Sequence, residues 1–157
     1  AVFGDVYKSY SIPFHLATRE AMQKIHARLE DDGIFVLNVI SSVDGKNGRL
    51  LHAMLATMDE FFPQILVFAA EEPDNGELLQ NLVLVAFKQK QKRKFFSENI
   101  PMNGMLAQIW AQDIPRDLPP LTDAFAPVEH YTSSVVTKAD RKHGILQKKL
   151  HSENRYA

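Results

Sequence analysis

Short apolar runs alternate along the chain with stretches of helical periodicity. Four apolar runs bounded by turn residues predict β-strands, at 1–7, 34–40, 65–70 and 82–87. Two other stretches carry apolar residues every three or four positions and predict amphipathic helices. The first is centred on Met22, Ile25 and Leu29, and the second runs from Leu50 to Phe62.

This order of elements predicts the fold class. Alternating strands and helices are typical of an α/β domain with a mostly parallel sheet, because each helix carries the chain back across the sheet. Between the third and fourth strands lie about a dozen residues without helical periodicity, so we expect the sheet to end in an antiparallel hairpin. The run from Ile34 to Ile40 is almost continuously apolar, which predicts a central strand covered on both faces.

Capping and breaking residues predict where the helices begin and end. Thr18 is a good N-cap for the first helix, and Gly33 is the expected stop. Pro63 ends the second helix, because the residue before a proline disfavours helical backbone. Pro101 suits the first turn of a third helix, which we expect to continue through Trp110.

The last third of the chain is less regular. Residues 114–130 contain four prolines and predict an extended, ordered loop. Residues 131–157 predict a polar C-terminal tail with a loose helix near 138–150. The segment Lys88 to Lys94 holds five cations, which favours a solvated strand exit over an RNA contact because no RNA-binding motif surrounds it.

Composition narrows the class of protein. The chain has 157 residues, a net charge of −1 and no cysteine. The length suits one domain, and the missing cysteines exclude a disulfide scaffold, thiolate zinc sites and a cysteine nucleophile. The near-neutral charge gives no reason to expect nucleic acid as a partner, and no apolar run reaches the roughly 20 residues that span a bilayer. The six histidines lack metal-ligand spacing, so we expect no metal.

Asp5 is the most informative single residue. It stands at the carboxyl end of the first predicted strand, and ligands of open α/β sheets bind outside those ends. A carboxylate there can accept a proton from an amine or bind a sugar hydroxyl, or it can simply cap a helix or brace a loop. His15 follows in the same loop, where its imidazole suits either a proton shuttle or loop packing.

Several segments together resemble one family, the spermidine synthase-like (polyamine aminopropyltransferase) branch of the class I S-adenosylmethionine-dependent methyltransferase fold. Their order and spacing agree with that family over residues 1–130. The matching segments are Gly4-Asp5-Val6-Tyr7, Ser11-Ile12-Pro13-Phe14-His15-Leu16, Thr18-Arg19-Glu20, Leu29 with Gly33 to Ile40, Thr57-Met58, Phe61-Phe62-Pro63 and Leu121 to Glu129.

The resemblance implies a fold, a site and a chemistry. Residues 1–130 would be the C-terminal half of a Rossmann-like catalytic domain that begins in the fourth of seven strands. Family members transfer an aminopropyl group from decarboxylated S-adenosylmethionine to an amine such as putrescine. Asp5 matches the proposed catalytic base, and Tyr7, Ser11, Ile12 and Pro13 match positions that contact the co-substrate. The resemblance also implies a cytoplasmic homodimer acting on a small-molecule amine or polyamine.

The chain departs from the family in two places. Authentic aminopropyltransferases carry a second aspartate and a proline where Lys8 and Ser9 stand here, and a lysine would repel a diamine. The glycine-rich loop and the acidic residue for the ribose, which lie upstream in the family, are not in this chain, so we expect it to be a fragment. A methyltransferase with S-adenosylmethionine and another acceptor, or a non-catalytic α/β module serving dimerisation or regulation, therefore remains an alternative.

Overall fold

A computed structural model describes residues 1–5, 12–91 and 97–133 of the chain. In these ranges the elements follow the predicted order. They are β1 (Val2–Gly4), α1 (Arg19–Arg28), β2 (Ile34–Ser41), α2 (Arg49–Met58), β3 (Gln64–Ala69), β4 (Gln80–Phe87) and α3 (Ile100–Leu106). Residues 128–133 form a further helical segment, and the helix predicted near 138–150 lies outside the described residues.

The four strands form one mixed sheet in the order β1-β2-β4-β3. β1 pairs with β2 in parallel, and the antiparallel pairing predicted for the last two strands is confirmed. The expectation of a mostly parallel sheet was wrong. The reason is that β4 lies between β2 and β3 and runs antiparallel to both, so most of the pairings in the described sheet are antiparallel.

The first helix begins where the sequence predicts and ends earlier. The Thr18 hydroxyl accepts a hydrogen bond from the Ala21 amide at 3.4 Å, as an N-cap does. The helix stops at Arg28 because Leu29 turns to extended backbone and packs into the core. Gly33 therefore does not end the helix. Its amide instead donates to the Glu30 carbonyl in the turn that leads into β2, at 2.8 Å.

Only one face of the sheet is fully covered in the described chain. Side chains of β2 alternate, with Phe35, Leu37 and Val39 buried in the core that α1 and α2 complete. Val36 and Ile40, on the other face, are only half-buried. The described residues cover this face only in part, because α1 and α2 both pack on the opposite side, and full coverage of both faces stays a prediction. We call this partly covered face, which carries Phe3, Val36, Val83, Val85 and Phe68, the open face.

The third helix lies over part of the open face and is shorter than predicted. Asn99 caps it by accepting from the Met102 amide at 3.1 Å, and Pro101 lies in its first turn. The helix ends at Leu106, and Trp110 is not helical. Its amide donates to the Val67 carbonyl at 2.7 Å, so this segment lines the outer edge of β3 instead. These bonds satisfy backbone groups that an edge strand would otherwise leave unpaired.

The proline-containing segment returns over the two long helices. The Arg19 amide donates to the Leu121 carbonyl at 2.7 Å, and the Leu121 amide donates to the Thr57 hydroxyl at 2.8 Å. Leu121 and Val128 are buried, which agrees with an ordered loop. Tyr131 and Thr132 are buried as well, so the core extends at least to Thr132.

Candidate functional site

Asp5 and Asn38 are direct neighbours on adjacent parallel strands. The register pairs Phe3 with Val36 and Gly4 with Leu37, and the next step brings Asp5 beside Asn38. The Asn38 side-chain nitrogen donates a hydrogen bond to the Asp5 carboxylate, with 3.2 Å between Nδ2 and Oδ1. This pair lies just beyond the end of β1, at the carboxyl edge where α/β sheets bind ligands.

The pair is a polar spot in apolar surroundings. Alternation along the strands puts Asp5 and Asn38 on the open face, together with Phe3 and Val36. On its other side Asn38 is opposite Val83 of β4. Asp5 itself is exposed, whereas Asn38 is half-buried. This arrangement suits an organic cation. The cationic group can contact the carboxylate, and the hydrocarbon part can contact the apolar surface beside it.

The Asp5 carboxylate can accept more hydrogen bonds than the described residues donate to it. An ionised carboxylate accepts hydrogen bonds through both oxygens. In the described part of the chain Oδ1 is bonded to Asn38, and no partner is found for Oδ2. Asp5 does not cap α1, whose N-cap is Thr18. Since none of the described residues bonds to this oxygen, it can hold an ammonium group or take a proton from an amine.

The four residues that the resemblance assigns to co-substrate binding are placed unevenly. Tyr7 and Ser11 lie outside the described residues. Ile12 is only 2% exposed and belongs to the core, where it lines a small apolar cavity beside β1 with Val2 and Phe35. That cavity measures about 140 Å³. Pro13 is half-buried and precedes the 3-10 turn Phe14–Leu16.

Asn38 is the site residue that sequence reasoning missed. It stands inside the apolar run Ile34 to Ile40, whose pattern predicts a strand of the core. One signal was present, because asparagine is depleted in strand interiors. What the sequence did not supply was the register that places this position beside Asp5.

His15 and His52 have different surroundings in the described chain. His15 is exposed and its ring meets the edge of Phe14, with 5.6 Å between centroids. His52 is buried between two acceptors, with Nε2 at 2.8 Å from the Val43 carbonyl oxygen and Nδ1 at 3.2 Å from the Asp117 carboxylate. No group of three or more potential metal-ligating side chains occurs within 1–5, 12–91 and 97–133.

The longest helices of the described chain, α1 and α2, have 10 residues each. No helix among the described residues has the length and apolar character needed to cross a bilayer.

Topology and site together define an α/β protein with a carboxylate at a strand end. No protein-family profile matches the sequence, and no match is found among curated proteins. Among solved structures, the chain is similar to a probable spermidine synthase from Corynebacterium glutamicum, with a TM-score of 0.51 and 24% sequence identity. The similarity covers 72% of this chain and 38% of that one.

This similarity bears on the fold alone, because the sequence identity is low. The chain has a spermidine synthase-like α/β fold, and it spans well under half the length of the protein it matches.

Proposed function

We propose that this chain is part of a spermidine synthase-like transferase that moves an aminopropyl group from decarboxylated S-adenosylmethionine to an amine. The observation that carries the proposal is the Asp5 carboxylate, which follows β1 directly and is bonded to Asn38 on β2. The fold is similar to that of a probable spermidine synthase, so it is compatible with the same chemistry. A small amine or polyamine is the proposed acceptor.

Asp5 would act on the nucleophile. An alkylammonium ion has no free electron pair, so it must lose a proton before it can attack. The Asp5 carboxylate takes that proton, and the freed amine forms a bond to the carbon next to the sulfonium. The carbon–sulfur bond breaks, and its electron pair stays on sulfur, which becomes a neutral thioether. Until the proton moves, the negative charge of Asp5 also holds the ammonium group in place.

The described residues fit only part of a co-substrate site. Of the four proposed contacts, Ile12 lines the small cavity beside β1 and Pro13 is half-buried next to it in the chain, whereas Tyr7 and Ser11 are assigned from the sequence alone. The chain contains no glycine-rich turn after a first strand to hold a nucleotide. We therefore propose that the nucleotide-binding half is supplied by polypeptide outside this chain. When bound, the co-substrate supplies an electrophilic carbon activated by the sulfonium charge.

Two features leave room for a second candidate. Lys8 stands where aminopropyltransferases carry an aspartate, and a lysine disfavours a diamine acceptor. On the open face Phe3 is exposed and the other apolar side chains are only half-buried, as on an interaction surface. These features favour a non-catalytic α/β module of the same fold, or a methyltransferase with S-adenosylmethionine and a different acceptor.

Turnover distinguishes these candidates. The protein produced from the complete reading frame that encodes this chain is incubated with decarboxylated S-adenosylmethionine or S-adenosylmethionine and a panel of amines. Mass spectrometry then detects an aminopropyl or methyl adduct. Asp5→Asn is expected to lower kcat by about 100-fold, within the range for loss of a general base. Asp113→Asn, at an exposed position, is the control and leaves kcat unchanged.

Each result has a definite meaning. Aminopropyl transfer that depends on Asp5 supports the proposal. Methyl transfer alone supports the methyltransferase, and no transfer with any acceptor supports the non-catalytic module. Transfer that Asp5→Asn does not slow shows that Asp5 is not the base.

A further inference from the structure

We propose that Asn38 is a positioning residue, whose side-chain amide holds the Asp5 carboxylate in the orientation needed to accept a proton from the amine. The inference rests on the proposed function, since it assigns Asn38 a part in that reaction. Asn38 acts through Asp5 and is not proposed to touch the reacting atoms.

The two residues differ in how firmly the sheet holds them. Asn38 lies in the middle of β2, which pairs with β4 from Ile34 to Ser41 and with β1 on its other side. Asp5 follows an edge strand of only three residues, and its side chain is exposed. An exposed carboxylate on such a short strand has rotamer freedom to lose. The 3.2 Å bond from Asn38 Nδ2 ties it to β2, a strand that is paired on both sides.

The amide can serve in this way in only one orientation. An ionised carboxylate only accepts, so the amide must turn its nitrogen toward Asp5 and its oxygen away. That orientation places Asn38 Oδ1 in a buried position, where no partner is found among the described residues. An unsatisfied buried oxygen lowers stability. The neighbours of Asn38 along the same face are Val36 and Ile40, so an aliphatic side chain would suit this position better.

A polar residue that costs stability at an apolar position, yet bonds to the candidate base, is characteristic of a functional site. It also gives the proposal a distinctive signature. Removing the amide is expected to impair the reaction while leaving the fold as stable as before or more so. A residue with a purely structural role would show the opposite, since its loss would lower stability.

The test compares three variants in the transferase assay. Asn38→Leu has nearly the same size but no donor, Asn38→Gln keeps the amide, and Asn81→Leu is the control at an exposed asparagine of β4. Asn38→Leu is expected to lower kcat by about 10- to 100-fold with little change in KM, because misplacing a reacting group has costs of this order. Asn38→Gln is expected to recover part of the loss, and Asn81→Leu to have no effect.

Thermal unfolding provides the second measurement. Loss of the unsatisfied oxygen is expected to raise the Tm of Asn38→Leu by roughly 2–4 °C. The proposal is overturned if Asn38→Leu keeps the wild-type kcat, or if its kcat falls only in step with a lowered Tm.

A measurement without turnover separates this inference from the proposed function. In the 157-residue chain, the side-chain NH₂ resonances of Asn38 are expected to shift on Asp5→Ala, and those of Asn81 are expected to stay. If the Asn38 resonances do not move, Asn38 does not hold Asp5 and the inference fails whatever the activity. If they move but the protein transfers no group, the proposed function is at fault and the contact stands.

Discussion

The hydroxyl of Thr57 accepts a hydrogen bond from the amide of Leu121, 2.8 Å away and 64 positions later in the chain. The same hydroxyl donates to the Ala53 carbonyl one turn back in α2, at 2.6 Å. Both residues are buried, so this one oxygen joins α2 to the segment that crosses it. Thr57 and Leu121 both belong to the segments whose sequence resembles the aminopropyltransferase family.

Removing this hydroxyl is expected to destabilise the chain. Thr57→Val keeps the size and branching of the side chain but leaves the buried Leu121 amide without a partner, which costs about 1–3 kcal/mol. Denaturant unfolding measures the change in the free energy of unfolding. Thr122→Val is the control, because its hydroxyl accepts from the Phe125 amide in an exposed turn at 3.1 Å. If the two variants lose the same free energy of unfolding, the buried hydrogen bond contributes no more to stability than the exposed one.

Two glycine substitutions are expected to change stability in opposite directions. A Cβ added at Gly48 would lie 2.6 Å from the Val43 carbonyl oxygen and 3.0 Å from its carbon, and these backbone atoms cannot move aside cheaply. Gly48→Ala is therefore expected to cost about 1–3 kcal/mol.

At Gly104, inside α3, a Cβ would meet nothing within 4 Å. Gly104→Ala is expected to stabilise by about 0.5–1 kcal/mol, because alanine loses less backbone entropy in a helix. Thermal unfolding of both variants tests the pair. A stabilised Gly48→Ala would contradict the packing of the Val43 carbonyl against this turn.

The open face predicts that the chain associates with itself. Phe3 is 74% exposed, and on the same side of the sheet Met102 and Met105 of α3 are 47% and 64% exposed. Apolar side chains displayed together on one face favour association. Sedimentation velocity at rising concentration is expected to show dimers or larger species, which bears on the homodimer that the family resemblance implies.

The matched variants locate the contact. Phe3→Ser combined with Met105→Lys is expected to shift the chain toward monomer. Phe125→Ser is the control, because Phe125 is also exposed but lies on the turn beside α1. A chain that stays monomeric at every concentration, or that responds equally to both sets of variants, would contradict association through the open face.

The sequence alone predicts part of the candidate site. It makes Asp5 a candidate because a carboxylate after an apolar strand is a local feature, visible in consecutive residues. Asn38 was missed because its role depends on a residue 33 positions away. For Ile12 the sequence and the structure point to different roles. The family resemblance assigns it to the co-substrate, whereas the fold buries it in the core.

The elements and their order were determined by the sequence alone. Apolar periodicity, the Thr18 cap and the proline positions act over a few residues, so the strands, the helices and the antiparallel pairing of β3 with β4 could be predicted. Only the tertiary structure decided where β4 inserts, which face of the sheet α1 and α2 cover, and which side chain meets Asp5. The physical reason is that strand register and helix packing depend on burial and hydrogen bonding between residues far apart in the chain. A pattern of neighbouring residues does not contain that information.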